Sequence, residues 1–331
     1  MSASALAREP SPAATLPWSG LLAVDKPTGM TSHDVVEKVR RRLHAKGAGH
    51  LGTLDPGASG LLLLALGAAT RCVPVWQGGE KTYEATVRFG VVTSTQDLQG
   101  EVLERRPVGL DEAQVRAASL AFVGDLAQVP PMVSALRVAG ERLHRLARRG
   151  VVVERAARPV QVAEWTWTAF ALPEARFRVR CSGGTYVRTL AHDLGDRLGC
   201  GAALGALRRL RSEPFGLDHS VTLSDLDLKD SEQVLAAGGI PLDEALGVLP
   251  ALTLDGAAAT QVGHGQRPSL ERHGAEAEGV PVCAGARSVV ARDAGGRALA
   301  VGEVVPDPAD PARVRLCPHV VFPWAVRRGR G

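Results

Sequence analysis

The sequence predicts an α+β fold: a mixed or antiparallel central sheet flanked by helices, with a small β-rich module after it. Three observations carry this. The run Leu61–Leu66 has no polar face and reads as a strand buried on both sides. Lys81 to Gly90 and Arg176 to Cys181 alternate apolar and polar residues, the period of a half-buried strand. Helical stripes separate them: Val35, Val36, Val39 and Leu43 share one face after Ser32, and Val187, Leu190, Ala191, Leu194 and Leu198 share another after Tyr186.

In chain order, Gly20 to Val24 is a short apolar strand, and Asp25 to Gly29 turns the chain. Ser32 begins a helix through Leu43, with Asp34 placed to suit the helix dipole. A loop crowded with glycines runs from Gly49 to Gly60 and feeds Leu61–Leu66. Within it Pro56 fixes its own φ and pushes Asp55 into an extended conformation. Asp55 is thus a carboxylate on a stiffened backbone at the mouth of a core strand.

Tyr83, Ala85, Val87 and Phe89 form the inward face of the next strand. Gly90 to Gly100 is a polar loop, and Asp111 with Gln114 makes a capping box for the helix that follows. Pro130 and Pro131 keep Gln128 to Ala135 extended. A helix carrying Leu143, Leu146 and Ala147 ends at Gly150. Arg137, Arg142, Arg145, Arg148, Arg149, Arg155 and Arg158 make this the densest basic region, suited to phosphate contacts.

Gly199 stops the helix after Tyr186, and Leu204, Leu207 and Leu210 predict another helix. Short helices are expected from Ser220 to about Leu246. Pro250 and Ala251 read as a boundary, beyond which 288–292 and 298–305 form a hairpin and 314–317 a further strand.

The totals narrow the function classes. A chain of 331 residues suits about two domains. A net charge of +4 and a pI near 9.0, carried mostly by arginine, fit a polyanionic partner. Five scattered cysteines without a CxxC pair argue against a disulfide framework or a zinc site, and for a reducing, cytoplasmic setting. Residues 1–18 lack the apolar core of a secretory signal and are expected to be a disordered tail. No run approaches the ~18 apolar residues of a membrane span, and there is no dinucleotide fingerprint.

The stretch GHLGTLDPGASGLLLLALGAATR, Gly49 to Arg71, resembles the signature of the TruB family of tRNA pseudouridine synthases, roughly GHxGxLDPxAxGxLxxxxGxATK; only Arg71 departs, replacing a Lys. Other segments agree with the family: VDKPTG at Lys26, Lys81-Thr82-Tyr83, the loop Gly90 to Gly100, QVPPMVSA from Gln128, Gly-Thr-Tyr-Val-Arg-Thr ending at Thr189, and the run from Gly201 through Leu207-Arg208-Arg209 to Phe215.

The resemblance implies a pseudouridine synthase fold over 19–248 and a divergent PUA-like RNA-binding domain over 249–331. It implies Asp55 as nucleophile, Arg188 as the cation that keeps Asp55 ionised, and Tyr83 as the ring stacked on the target base, its hydroxyl helping to move the C5 proton. Tyr186 and Leu207 would line the uracil pocket, and His50 would fill the gap left by the flipped base or contact the flipped nucleotide's neighbours. No cofactor and no metal are implied. The implied partner is the tRNA T-stem-loop, at its uridine 55. The enzyme would act as a monomer, with no guide RNA and no membrane.

Two other readings stand beside this one. A guide-dependent catalytic subunit would call for long terminal extensions. A non-catalytic RNA-binding protein or tRNA-folding chaperone on the same scaffold is disfavoured as the only role by the intact Asp55, Tyr83 and Arg188.

Overall fold

The computed structural model describes residues 18–134, 136–138, 140–282 and 288–328. The expected tail therefore lies outside the described residues apart from Trp18, as do the side chains of Arg137, Arg142 and Arg148.

Among the described residues, eleven strands form one large sheet. Its spine runs Val221–Thr222, Gly20–Lys26, Ala58–Leu66, Ala202–Ser212, Lys81–Phe89, Glu174–Cys181, Arg158–Ala171, Gly124–Gln128. Most pairs are antiparallel; Ala58–Leu66 runs parallel to Ala202–Ser212, which makes the sheet mixed. Every residue from Gly60 to Leu66 is buried, as a strand with no polar face requires. The helix Ser32–Arg42 begins one residue after its cap, Thr31, which forms a reciprocal capping box with Asp34. The box at Asp111 and Gln114 is present as expected.

One expected element is overturned. The segment around Leu204, Leu207 and Leu210 is the strand Ala202–Ser212, with register shifts between Leu204 and Ala206 and between Arg209 and Arg211. Each shift absorbs a residue. The apolar positions therefore recur every third residue, which imitates a helix. The loop before Leu61 is also shorter than expected, because Ala48–His50 is a strand paired with Ala58–Leu66.

The second sheet has five strands, in the order Ala251–Thr253, Val289–Arg292, Ala298–Pro306, Arg313–Val321, Ser269–Glu271. The expected hairpin of 288–305 is its centre. Leu63, Trp76 and Leu246 on one side share a buried cluster with Val301 and Phe322 on the other. Arg71 adds a hydrogen bond of 2.7 Å from its Nη1 to the Val321 carbonyl. Among the described residues no helix is long and apolar enough to cross a membrane, and no group of His, Cys, Asp and Glu is placed to hold a metal.

Candidate active site

Asp55 sits in the connection between Ala48–His50 and Ala58–Leu66, and its backbone is held from both sides. Ser32 clamps Leu54, accepting from its N–H at 2.9 Å and donating to its carbonyl at 3.0 Å. The fully buried Lys26 donates to the carbonyls of Ala58 at 2.7 Å, Pro27 at 2.9 Å and Asp55 at 3.3 Å. Burial lowers the Lys26 pKa to about 8, Asp55 opposing and Arg209 adding to the fall. Lys26, in the family-like segment VDKPTG, thus lies against the Asp55 loop.

Arg188 comes from the first turn of the helix Val187–Arg197, whose inner face buries it among Val187, Leu190, Ala191 and Leu194. Gln128 fixes the start of that helix: its side chain accepts from the Tyr186 N–H at 2.8 Å and donates to the Tyr186 carbonyl at 3.1 Å. The Arg188 side chain is 4% exposed and stands 3.4 Å from the Asp55 carboxylate. It also faces Asp97 at 3.7 Å, donates to the Val133 carbonyl and lies over the Tyr186 ring.

In the sequence Asp97 is one polar residue of the loop Gly90 to Gly100, with nothing local to mark it as a site residue. That loop is pinned by Leu98 N–H to the Leu204 carbonyl at 2.9 Å and Leu204 N–H to the Gln96 carbonyl at 3.0 Å. The Thr95 hydroxyl donates to the Asp97 carboxylate at 2.6 Å. The loop's likeness to the family pattern was the one available signal.

Asp55 keeps 44% of its side-chain surface, so water still reaches it through the cleft. Burial nevertheless raises its pKa above the ordinary aspartate value; Arg188 and Lys26 pull down, and Asp97 pushes further up. Arg188 was expected to keep Asp55 ionised, and it does favour the charged form. The guanidinium is, however, shared with Asp97 and outweighed by desolvation.

Asp55 lines a cleft of about 330 Å³ together with Tyr83, Tyr186, Arg188 and Leu207. Tyr83 and Arg209 are cross-strand partners, as are Ala85 and Leu207. Burial raises the Tyr83 phenol pKa, with Arg209 pulling the other way. Five of the six sequence candidates thus meet in one cleft. The sixth, His50, lies on the strand Ala48–His50 and is not among the cleft-lining residues. Its pKa is lowered by burial and then by Arg209 and His33. Its Nδ1 is buried without a hydrogen-bond partner among the described residues.

The basic region is less uniform than its sequence suggests. Arg149 pairs with Glu141 at 2.9 Å, and Arg155 donates to the Pro130 carbonyl at 3.1 Å. Arg145 and Arg158 are exposed.

Residues 40–187 match the TruB family pseudouridylate synthase N-terminal domain, and residues 188–247 the tRNA pseudouridylate synthase B C-terminal domain. A protein named tRNA pseudouridine synthase B from Burkholderia mallei (strain NCTC 10247) is 49% identical over 251 residues, 76% of this chain and 83% of its own. The protein of the same name from Opitutus terrae is 51% identical over 209 residues, 63% of this chain and 87% of its own. Among solved structures, a chain of a Cbf5-Nop10-Gar1 complex superposes with a TM-score of 0.70 at 27% identity, covering 92% of this chain and 84% of that one. A chain of an H/ACA RNP bound to a substrate RNA containing 2′-deoxyuridine gives 0.68 at 25% identity, with the same coverage of 92% and 84%.

Proposed function

The chain belongs to the TruB family of pseudouridylate synthases, and from that premise we propose that it isomerises uridine 55 in the T-loop of tRNA, alone and without a guide RNA. Conversion of a tRNA uridine to pseudouridine is the activity of its relatives. The reaction breaks the bond from C1′ to N1, turns the base and joins C1′ to C5; C5 loses a proton and N1 gains one.

The observation that carries this reading is the Asp55 carboxylate, 3.4 Å from a buried guanidinium in a cleft walled by Tyr83, Tyr186 and Leu207. Asp55 acts as the nucleophile. The target base leaves its stack, at a cost of a few kcal/mol, and enters between the two tyrosines and Leu207. Tyr83 stacks on it and passes on the C5 proton. His50, outside the cleft proper, contacts the nucleotides beside the flipped one. Residues 19–248 act as the catalytic unit and 249–331 as a PUA-like RNA-binding unit. Arg145 and Arg158 contact stem phosphates, in keeping with recognition of RNA by loop shape and backbone.

The test uses unmodified tRNA transcript with the wild type and with Asp55→Asn. Pseudouridine is expected from the first and none from the second, while both bind tRNA equally. Product from the variant, or loss of its binding, would overturn the role given to Asp55.

A further inference from the structure

Lys81 is a buried cation that takes no part in the steps above. It opens the strand Lys81–Phe89, two residues before Tyr83 and so on the same face. Its side chain lines the cleft, although the residue is only 5% exposed. Its Nζ donates to the carbonyls of Gly79 at 2.8 Å and Gln77 at 3.0 Å. An ammonium carries three N–H groups. Among the described residues the third has no acceptor, and no carboxylate forms an ion pair with Lys81.

The charged and titratable groups facing it are Arg209 from Ala202–Ser212, Cys181 from Glu174–Cys181 and Tyr83 on its own strand. Gly52 of the Asp55 loop passes over both cations: a Cβ there would lie 3.7 Å from Lys81 Cε and 3.6 Å from Arg209 Nη1. Holding a cation beside another cation, away from water and with a donor left over, is costly. A methionine would fill the same space without that cost. The cation is accounted for if its counter-charge arrives with the substrate.

Resting on the function proposed above, we propose that Lys81 is a catalytic residue whose third N–H donates to a carbonyl oxygen of the target base and stabilises the anion formed as the C1′–N1 bond breaks. The electron pair of that bond stays on the base, spread over N1 and the two carbonyl oxygens, while the Asp55 carboxylate bonds to C1′ and leaves it again when C5 attacks. A pair from C5 then forms the bond to C1′, C5 loses its proton, and N1 ends with one. Lys81 makes no covalent bond and keeps its own protons throughout. A fixed donor aimed at charge that develops only during reaction is an effective form of stabilisation, since it needs no reorganisation. Arg209 is anchored instead to the strand and loop that carry Asp55. Its Nε donates to the Leu61 carbonyl at 2.7 Å and its Nη2 to the Gly52 carbonyl at 3.1 Å.

The experiment compares wild type, Lys81→Met and Lys81→Arg for single-turnover pseudouridine formation on tRNA transcript, with tRNA affinity and melting temperature measured alongside. Lys81→Met is expected to lose ~10²-fold or more in rate, with tRNA affinity changed by less than about threefold. Burial lowers the Lys81 pKa to about 8, with Arg209 adding to the fall and Cys181 opposing it. The wild-type rate should therefore fall above that pH as the ammonium deprotonates.

Lys81→Arg stays charged, so it should recover part of the rate and lose the alkaline fall. Lys26, which titrates in the same range, is intact in that variant, so a fall that persists there belongs to another group and contradicts the proposal. A Lys81→Met rate within about threefold of wild type would also overturn it. If Lys81→Met does not fold, Lys81→Gln, which can still donate to the two carbonyls, is judged by the same criteria. A wild type that makes no pseudouridine would defeat the proposed function itself; an active wild type with an undiminished variant defeats only the role of Lys81.

Discussion

Arg188 faces two carboxylates, Asp55 at 3.4 Å and Asp97 at 3.7 Å, whereas Lys26, Lys81 and Arg209 beside the Asp55 loop spend their hydrogen bonds on backbone carbonyls. All four cations are buried. In the first set, charge meets charge, and one partner is open to solvent. A proton or a substrate can therefore change the balance, and the set is suited to chemistry. In the second set, the partners are neutral carbonyls: those of the Asp55 loop and its strands for Lys26 and Arg209, those of Gln77 and Gly79 for Lys81. Lys26 and Arg209 fix where that loop runs, and their loss should appear first as lost stability. Lys81 belongs to the second set by its bonds, but it keeps one donor in reserve.

The largest effect should come from breaking the first set. Arg188→Met leaves Asp55 and Asp97 without their shared cation, and the single-turnover rate should fall ~10²–10³-fold. The wild-type pKa of Asp55 is already raised by burial. Activity that needs the carboxylate should be present above that pKa and lost as the pH falls through it. Removing Arg188 takes away the main downward pull, so the acid limb of the pH–rate profile should move to higher pH. An unmoved limb would break the contrast between the two sets.

Gly60→Ala probes the second set. Gly60 has φ +98°, and a Cβ there would lie 2.2 Å from the Arg209 carbonyl oxygen. Both strain and overlap oppose the side chain, so urea unfolding should show a loss of about 3 kcal/mol or more. Wild-type stability would show that this close approach is not needed to hold the loop.

The smallest effect belongs on the outer face of the sheet. Arg178 pairs with Glu84 at 2.8 Å, but both side chains are about half exposed, at 52% and 46%. Arg178→Ala should cost less than ~1 kcal/mol by the same assay.

The legibility of these regions in the sequence follows the same division. The Ala58–Leu66 strand and the strand of Tyr83 were readable from an unbroken apolar run and clean alternation, whereas Asp55 and Tyr83 were singled out as site residues by the family signature around them. The strand Ala202–Ser212 was hidden by its two bulges, which replace period two with a spacing of three. The long strand Arg158–Ala171 also carries two register shifts, which break its alternation into the short runs 160–162 and 165–168.

Asp97 was missed because its partner Arg188 lies far along the chain, and an acid in a polar loop looks like a turn former. Lys81 and Arg209 were missed for a simpler reason. A cation in a sequence is ordinarily exposed, and only the fold shows these two sealed beside Gly52.

The most direct measurement of the central claim is tritium release from a T-stem-loop RNA labelled at C5 of uridine 55 alone, incubated with the purified protein and no other RNA. The account predicts release of one tritium per RNA, in step with pseudouridine at that position, and none with Asp55→Asn. No release, or release only after a guide RNA is added, would contradict it.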